Sequence, residues 1–218
     1  MSAPTTSPLL APGLERRAHP AQARARQTID HILETAAVLL DEVGVDAFNT
    51  NLLAERARIG IRTVYRYYPN KLAILVALME RIGGEWAWAD GAFERMADSA
   101  CDWRAAWQSL AESYIHGAER SPGWIAIMSA LRALPELRQI AREQADLAAT
   151  QFAESLRRRG AHGSDVELRR RVHLVMEVGG QLIDRAVARD GKVPEDLVRE
   201  LARMQHAYLA PVLDCPGE

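Results

Sequence analysis

The residues best suited to chemistry lie between Thr50 and Lys71. Five cations, Arg56, Arg58, Arg62, Arg66 and Lys71, stand there against one acid, Glu55, for a local charge of +4. Tyr65, Tyr67 and Tyr68 are interleaved with them. Guanidinium and ammonium groups pair with phosphate oxygens, and phenol hydroxyls donate to the same oxygens. The whole chain carries −2 at pH 7, so this cationic stretch stands out against a slightly acidic background. The chemistry it suits is polyanion binding; a basic helical hairpin with no nucleic-acid role is the plain alternative.

Other chemistries find less support. The chain has no phosphate-binding GxxxxGK, no HExxH and no GxSxG, and its six histidines are scattered. Cys101 and Cys215 lie far apart and form no CxxC pair, so neither a disulfide framework nor a zinc site is expected, and a reducing cytoplasm fits. No cofactor or metal is expected, and no catalytic residue stands out. The longest apolar run, Leu72–Met79, falls far short of the roughly 18 residues of a membrane span, so no membrane partner is expected. Residues 1–24 carry Pro4, Pro8, Pro12 and Pro20 and then Arg16, Arg17 and Arg24, which reads as a flexible basic arm and not as a signal peptide.

The elements that must position these groups are helices throughout. Apolar residues recur at helical spacing at Ile29, Ile32, Leu33, Ala36, Leu40 and Val43, and Gly44 stands where a helix end favours positive φ. Two short helical segments follow, Asn49–Ala57 and Ile61–Tyr67, joined by a tight turn. Pro69 disfavours helical geometry in the residue before it, and Asn70 is placed to cap a longer helix bearing Leu72, Leu75, Val76 and Met79. Nothing shows the alternation of a strand. The fold class expected is all-α, with an N-terminal three-helix helix-turn-helix domain (residues 25–70) and a helical body (residues 71–218), about nine helices in all. In a helix-turn-helix the second helix enters the major groove and its first residues face base edges.

The motif residues resemble the TetR family of bacterial transcription factors. Thr50-Asn51-Leu52-Leu53-Ala54-Glu55-Arg56-Ala57, followed by Thr63-Val64-Tyr65-Arg66-Tyr67-Tyr68-Pro69-Asn70-Lys71, matches the family's DNA-binding pattern in order and spacing. The upstream helix with Ile32, Leu33, Ala36, Ala37 and Gly44 matches as well. The resemblance implies a homodimer that binds a palindromic operator through three N-terminal helices and is released by a small-molecule effector in the body. It implies DNA contacts from Thr50 and Asn51, from Ile61, Arg62 and Thr63 at the exposed start of the recognition helix, from Tyr65, Arg66 and Tyr67, and from Lys71 at a phosphate. Arg62 is the residue expected to read a base, since a guanidinium pairs with guanine in a bidentate way. Two positions depart from the pattern: Arg58 stands where the family has its turn glycine, and Gly60 stands where it has the capping serine.

In the body, Trp86, Trp103, Trp107, Tyr114, Trp124, Met128 and Phe152 form an aromatic-rich set, with Gln144 and His173 as candidate polar partners. The resemblance places an effector of apolar or aromatic character among them, while ordinary bundle core is the alternative. The last two helices carry wide stripes: Val172, Val175, Met176, Gly179 and Ile183, then Leu197, Leu201, Met204 and Tyr208. A self-complementary dimer face accounts for the excess, and completion of the monomer core is the alternative. Gly179-Gly180 inside a helix suggests close approach by a neighbour, since glycine there costs about 1 kcal/mol against alanine. A helical small-molecule-binding protein or enzyme with an incidental basic hairpin remains the rival reading of function.

Overall fold

The computed structural model describes residues 23–84 and 91–214, and every regular element among them is a helix. In chain order these are α1 (Ala23–Ala47), α2 (Thr50–Arg56), α3 (Ile61–Tyr67), α4 (Lys71–Gly84), α5 (Ala92–Ala97), α6 (Trp103–Arg120), α7 (Trp124–Ala133), α8 (Pro135–Arg159), α9 (Asp165–Asp190) and α10 (Glu195–Leu213). The ten exceed the expected count by one. The six-residue α5 is shorter than two helical turns and leaves almost no periodicity to read.

Helix ends follow their capping chemistry. Gly44 breaks α1 with φ 72°, a conformation that side chains with a Cβ disfavour. The Asn49 side chain accepts from the Leu52 amide to open α2, and Asn70 accepts from the Ala73 amide at the start of α4. Ser164 caps α9, and Pro194, Glu195 and Asp196 open α10. Carboxylates there complement the positive end of the helix dipole.

The chain divides into two units. The first takes in α1–α3, α4 as far as Arg81, α7 and the opening of α8 as far as Glu143. Its core is apolar and closed: Ile32, Leu39, Leu40, Leu53, Val64, Ile74, Leu75 and Trp124 are all almost fully buried. Full burial of one such side chain stabilises by roughly 2 kcal/mol. Helix α7 packs on α1 inside this unit. At their closest approach Gly123 lies so near Ala37 that an added Cβ would stand 3.0 Å from the Ala37 Cα. The Asp41 carboxylate accepts from the Gly123 amide at 2.7 Å and so satisfies a backbone donor at the start of α7.

The second unit holds α5, α6, the rest of α8, α9 and α10. Its core joins Met96, Trp103, Trp107, Phe152, Leu156, Leu168, Val172 and Leu209. Phe152 takes Phe93 on one side, with centroids 4.4 Å apart, and meets Trp107 edge-on at 5.8 Å. The arginines flanking the turn between α8 and α9, whose clustering in the sequence reads as solvated helix ends, instead tie backbone together. Arg157 donates to the carbonyls of Ala161 and Gly163, Arg159 to those of Asp98 and Cys101, and Arg171 to that of Tyr208. Asp214, just past the end of α10, accepts from the Trp103 indole at 2.9 Å and from the Arg104 guanidinium. Those donors hold its carboxyl below the usual carboxylate range.

Candidate nucleic-acid interface and ligand cavity

Helix α3 is anchored on one side and open on the other. Val64, Tyr67 and Tyr68 are buried, whereas Arg62, Tyr65 and Arg66 are exposed at i, i+3 and i+4 on the opposite face. Ile61 and Thr63 are half-buried at its first turn. Its N-cap, Gly60, supplies no side-chain hydrogen bond, but its carbonyl accepts from the Thr63 amide at 2.7 Å. Of the residues expected at this surface, two are turned inward. Tyr67 is 6% exposed and Thr50 is 8% exposed. The Thr50 hydroxyl lies 3.0 Å from the Tyr65 hydroxyl and holds it from beneath. Asn51 is exposed one residue further along.

The turn between α2 and α3 closes through two backbone bonds, Arg58 N to Glu55 O and Ile59 N to Ala54 O, each 3.0 Å. This is the paired closure that requires a left-handed residue after the helix end. Arg58 supplies it with φ 53°, the one positive φ outside glycine among the described residues. From α1, the His31 Nε2 donates to the Ala57 carbonyl at 3.0 Å and secures the same turn. Helix α1 makes two further ties. Glu42 pairs with Arg56 at 2.6 Å, which holds the Glu42 carboxyl below its usual range, and the Val45 carbonyl accepts from the Lys71 ammonium. Arg56 is thus neutralised, and the positive charge that faces outward rests on Arg58, Arg62 and Arg66, with Lys71 at the start of α4.

A cavity opens in the second unit. It is lined by Trp107, Leu110, Ala111 and Tyr114 of α6, by Met176, Gly179, Gly180 and Ile183 of α9, and by Gln205 of α10, and encloses about 480 Å³ of empty space counting its mouth. The glycine pair is what seats its polar groups. A Cβ on Gly179 would stand 2.6 Å from the Gln205 Nε2, and one on Gly180 would stand 3.2 Å from the Tyr114 hydroxyl. Gln205 donates to the Val175 carbonyl and accepts from the Trp107 indole, both at 3.0 Å, which links three helices. The Tyr114 hydroxyl donates to Asp184, which is 3% exposed.

The expected effector set is divided by this geometry. Trp107 and Tyr114 line the cavity. Trp103 and Phe152 are buried in the core of the same unit and do not line it. Trp124 and Met128 belong to α7 in the first unit, where Trp124 is 1% exposed. Gln144 is half-buried on α8, and His173 is half-buried with its Nδ1 3.6 Å from Asp146. Trp86 lies outside the described residues.

The residues of the expected dimer stripe are divided in the same way. Val172, Val175, Gly179, Ile183 and Leu201 are buried within the chain itself, because the α9 and α10 stripes are wide enough to carry an inward row against α6. Met176, Gly179 and Ile183 form cavity wall. Leu197 and Tyr208 are half-buried, and Met204 is 42% exposed. The outward apolar row of α9 is a different one, Leu174 at 45% and Leu182 at 37% exposed, with Val178 between them. Gln205 had a legible signal in the sequence, being a polar residue between Leu201 and Leu209 on an otherwise apolar stripe. Asp184 had none.

An exposed basic helix, the second of a helix-turn-helix, on a buried apolar core in an all-helical chain defines a helix-turn-helix DNA-binding protein. Comparison with known families gives the class its name. The model described as bacterial regulatory proteins, tetR family, matches residues 32–78, and the model for a tetracyclin repressor-like C-terminal domain matches residues 102–209. The chain therefore belongs to the TetR family and is a DNA-binding transcriptional regulator. A TetR-family transcriptional regulator from Streptomyces coelicolor is similar at 28% identity and a TM-score of 0.61, over 88% of this chain and 100% of that one. The fatty acid degradation regulator FadR from Bacillus halodurans shares the fold at 17% identity and a TM-score of 0.61, over 88% and 97%. A TetR family regulator from Pseudomonas syringae pv. tomato shares it at 11% identity and a TM-score of 0.59, over 87% and 97%. Comparison with curated proteins returns no match. Regulators of this family bind DNA and ligands and dimerise. Among the described residues no helix is long and apolar enough to cross a membrane.

Proposed function

We propose that this regulator is a cytoplasmic, non-catalytic repressor that holds a palindromic operator as a homodimer and releases it when a small molecule fills the cavity of the second unit. The observation that carries the reading is the exposed face of α3, where Arg62, Tyr65 and Arg66 project from a helix whose other face is locked in the core. Arg62 reads a base. Asn51, Tyr65, Arg66 and Lys71 hold phosphates, with Ile61 and Thr63 packed at the groove edge and Thr50 acting through Tyr65. A second copy covers Leu174, Val178, Leu182 and Met204, an isologous contact that sets two recognition helices about one DNA turn apart.

Signal passes along covalent paths. Helix α6 supplies four residues of the cavity wall and continues through Ser121 and Pro122 into Gly123, where Asp41 and Ala37 of α1 hold the start of α7. Helix α4 begins at Lys71 in the first unit and runs on into the second. A ligand that favours one arrangement of α6 thereby biases α1, to which the helix-turn-helix is tied.

Selection of random duplex DNA on the purified protein, followed by titration at two salt concentrations, tests the reading. A palindromic site bound about a thousandfold or more above random DNA is the expected result. Arg62→Ala then relaxes specificity at one base pair by about 1–3 kcal/mol, whereas Lys71→Ala weakens all sequences alike and lowers the salt slope by about one. Loss of all binding at moderate salt with no preferred site would overturn it.

A further inference from the structure

We infer that Arg58 is a phosphate clamp at the edge of the DNA-binding surface, and that this contact is what the strained backbone of the α2–α3 turn serves. The clamp rests on the reading of α3 as the recognition helix. It adds a contact that the family pattern, with glycine at this position, does not supply.

The turn region offers fewer free cations than its charge suggests. Thr50 and Tyr67 are buried. Arg56 is paired with Glu42, and the Lys71 ammonium already donates to the Val45 carbonyl. Arg58 is in a different situation. Its side chain is exposed, and no described residue forms a hydrogen bond or ion pair with its guanidinium. Glu55, the only acid between Thr50 and Lys71, is bonded to Arg58 through its backbone carbonyl alone.

The place of Arg58 in the chain suits it to a phosphate. It precedes Ile61, the first residue of α3, by three positions, so the two Cα atoms stand no more than about 11 Å apart. The first turn of a recognition helix enters the major groove, which is about 12 Å wide and edged by the phosphates of both strands. A guanidinium starting this close to the groove entrance reaches its edge, and its planar fork pairs with a phosphate in a bidentate way. The starting point is fixed. The amides of residues 58 and 59 are bonded to Glu55 and Ala54, and His31 holds the Ala57 carbonyl, so binding orders only the side chain.

The backbone conformation carries the same message. A φ of 53° is taken readily by glycine and at a steric cost by any residue with a Cβ. An arginine that merely faced water would gain nothing against that cost. Residues held in such conformations collect at binding sites, where the side chain supplies the compensation.

The test is a titration of a labelled random-sequence duplex with the full-length protein across a series of salt concentrations, read by fluorescence anisotropy. Arg58→Gly and Arg58→Asn both tolerate the left-handed backbone. Each should weaken binding by about three- to tenfold at moderate salt and lower the slope of log affinity against log salt by about one, whereas Arg58→Lys should keep the slope. Arg58→Gly should do this while melting no lower than the unaltered protein, which separates a lost contact from a damaged fold. Arg56→Ala removes the same charge from the end of α2, and because its guanidinium is held by Glu42 the slope should stay unchanged. An unchanged slope in both Arg58→Gly and Arg58→Asn would overturn the clamp, and so would an equal fall in Arg56→Ala, which would mean that only bulk charge matters. An unaltered protein that binds no duplex at any salt would remove the reading of α3, and the clamp with it.

Discussion

At the scale of single residues, the DNA-facing surface depends on side chains that do not themselves face DNA. Thr50 is buried, yet its hydroxyl is the partner of the exposed Tyr65 hydroxyl. Thr50→Val and Tyr65→Phe should each weaken DNA binding, and the double variant should be little worse than either, a coupling of about 0.5–1.5 kcal/mol. Additive losses in a double-mutant cycle would show that the two hydroxyls act separately. Arg58 is the opposite case, a side chain free in solvent on a strained backbone. Arg58→Gly should raise thermal stability by about 1 kcal/mol, since glycine adopts φ 53° without the steric cost that a Cβ brings. An unchanged or lower melting temperature would mean that the arginine side chain offsets its own strain. This position was only half legible in the sequence: Arg58 in the glycine slot left open whether it takes positive φ or the turn shifts toward Gly60, and the φ of 53° with the closure bonds to Glu55 and Ala54 puts the turn at Arg58. The inward turn of Tyr67 was less legible, because a tyrosine serves equally as phosphate donor and as core ring, and only the packing of α2 against α3 decides between them.

At the scale of elements, the helices that the sequence defines by period and caps agree with the structure, and the faces those helices present agree less well. The α9 stripe illustrates the reason. Val172, Val175, Gly179 and Ile183 recur at helical spacing, and so, one row over, do Leu174, Val178 and Leu182. Periodicity marks both rows as apolar; which row is covered by the chain itself depends on where α6 lies, and that is tertiary information. The α1–α7 contact is of the same kind, since no local pattern pairs residue 37 with residue 123. Gly123→Ala combines φ 80° with a Cβ 3.0 Å from the Ala37 Cα, so it should destabilise the protein by about 2 kcal/mol or more, read as a lowered midpoint in urea unfolding. A neutral result would require α7 to shift away from α1 at little cost.

At the scale of the whole molecule, charge is unevenly spread. The chain is slightly acidic overall, while the stretch from Thr50 to Lys71 is strongly basic. Such a dipolar arrangement steers the helix-turn-helix toward polyanions without making the entire surface adhesive. Among the described residues, the first unit is also assembled from two separate stretches of chain, 23–81 and 122–143. Regulators of this kind invite engineering by exchange, in which the DNA-reading end of one protein is fused to the sensing end of another. A cut after the fourth helix begins treats the reading end as one continuous piece, and here it is not. A fragment ending at Arg81 lacks Trp124 and Ile127, both buried in the first unit, and leaves Ala37 and Asp41 without the helix that covers them. Circular dichroism of residues 23–81 should show weak, non-cooperative melting, and a chimaera should fold and respond only when residues 122–143 travel with the reading head. The natural graft boundary therefore consists of three cuts, not one.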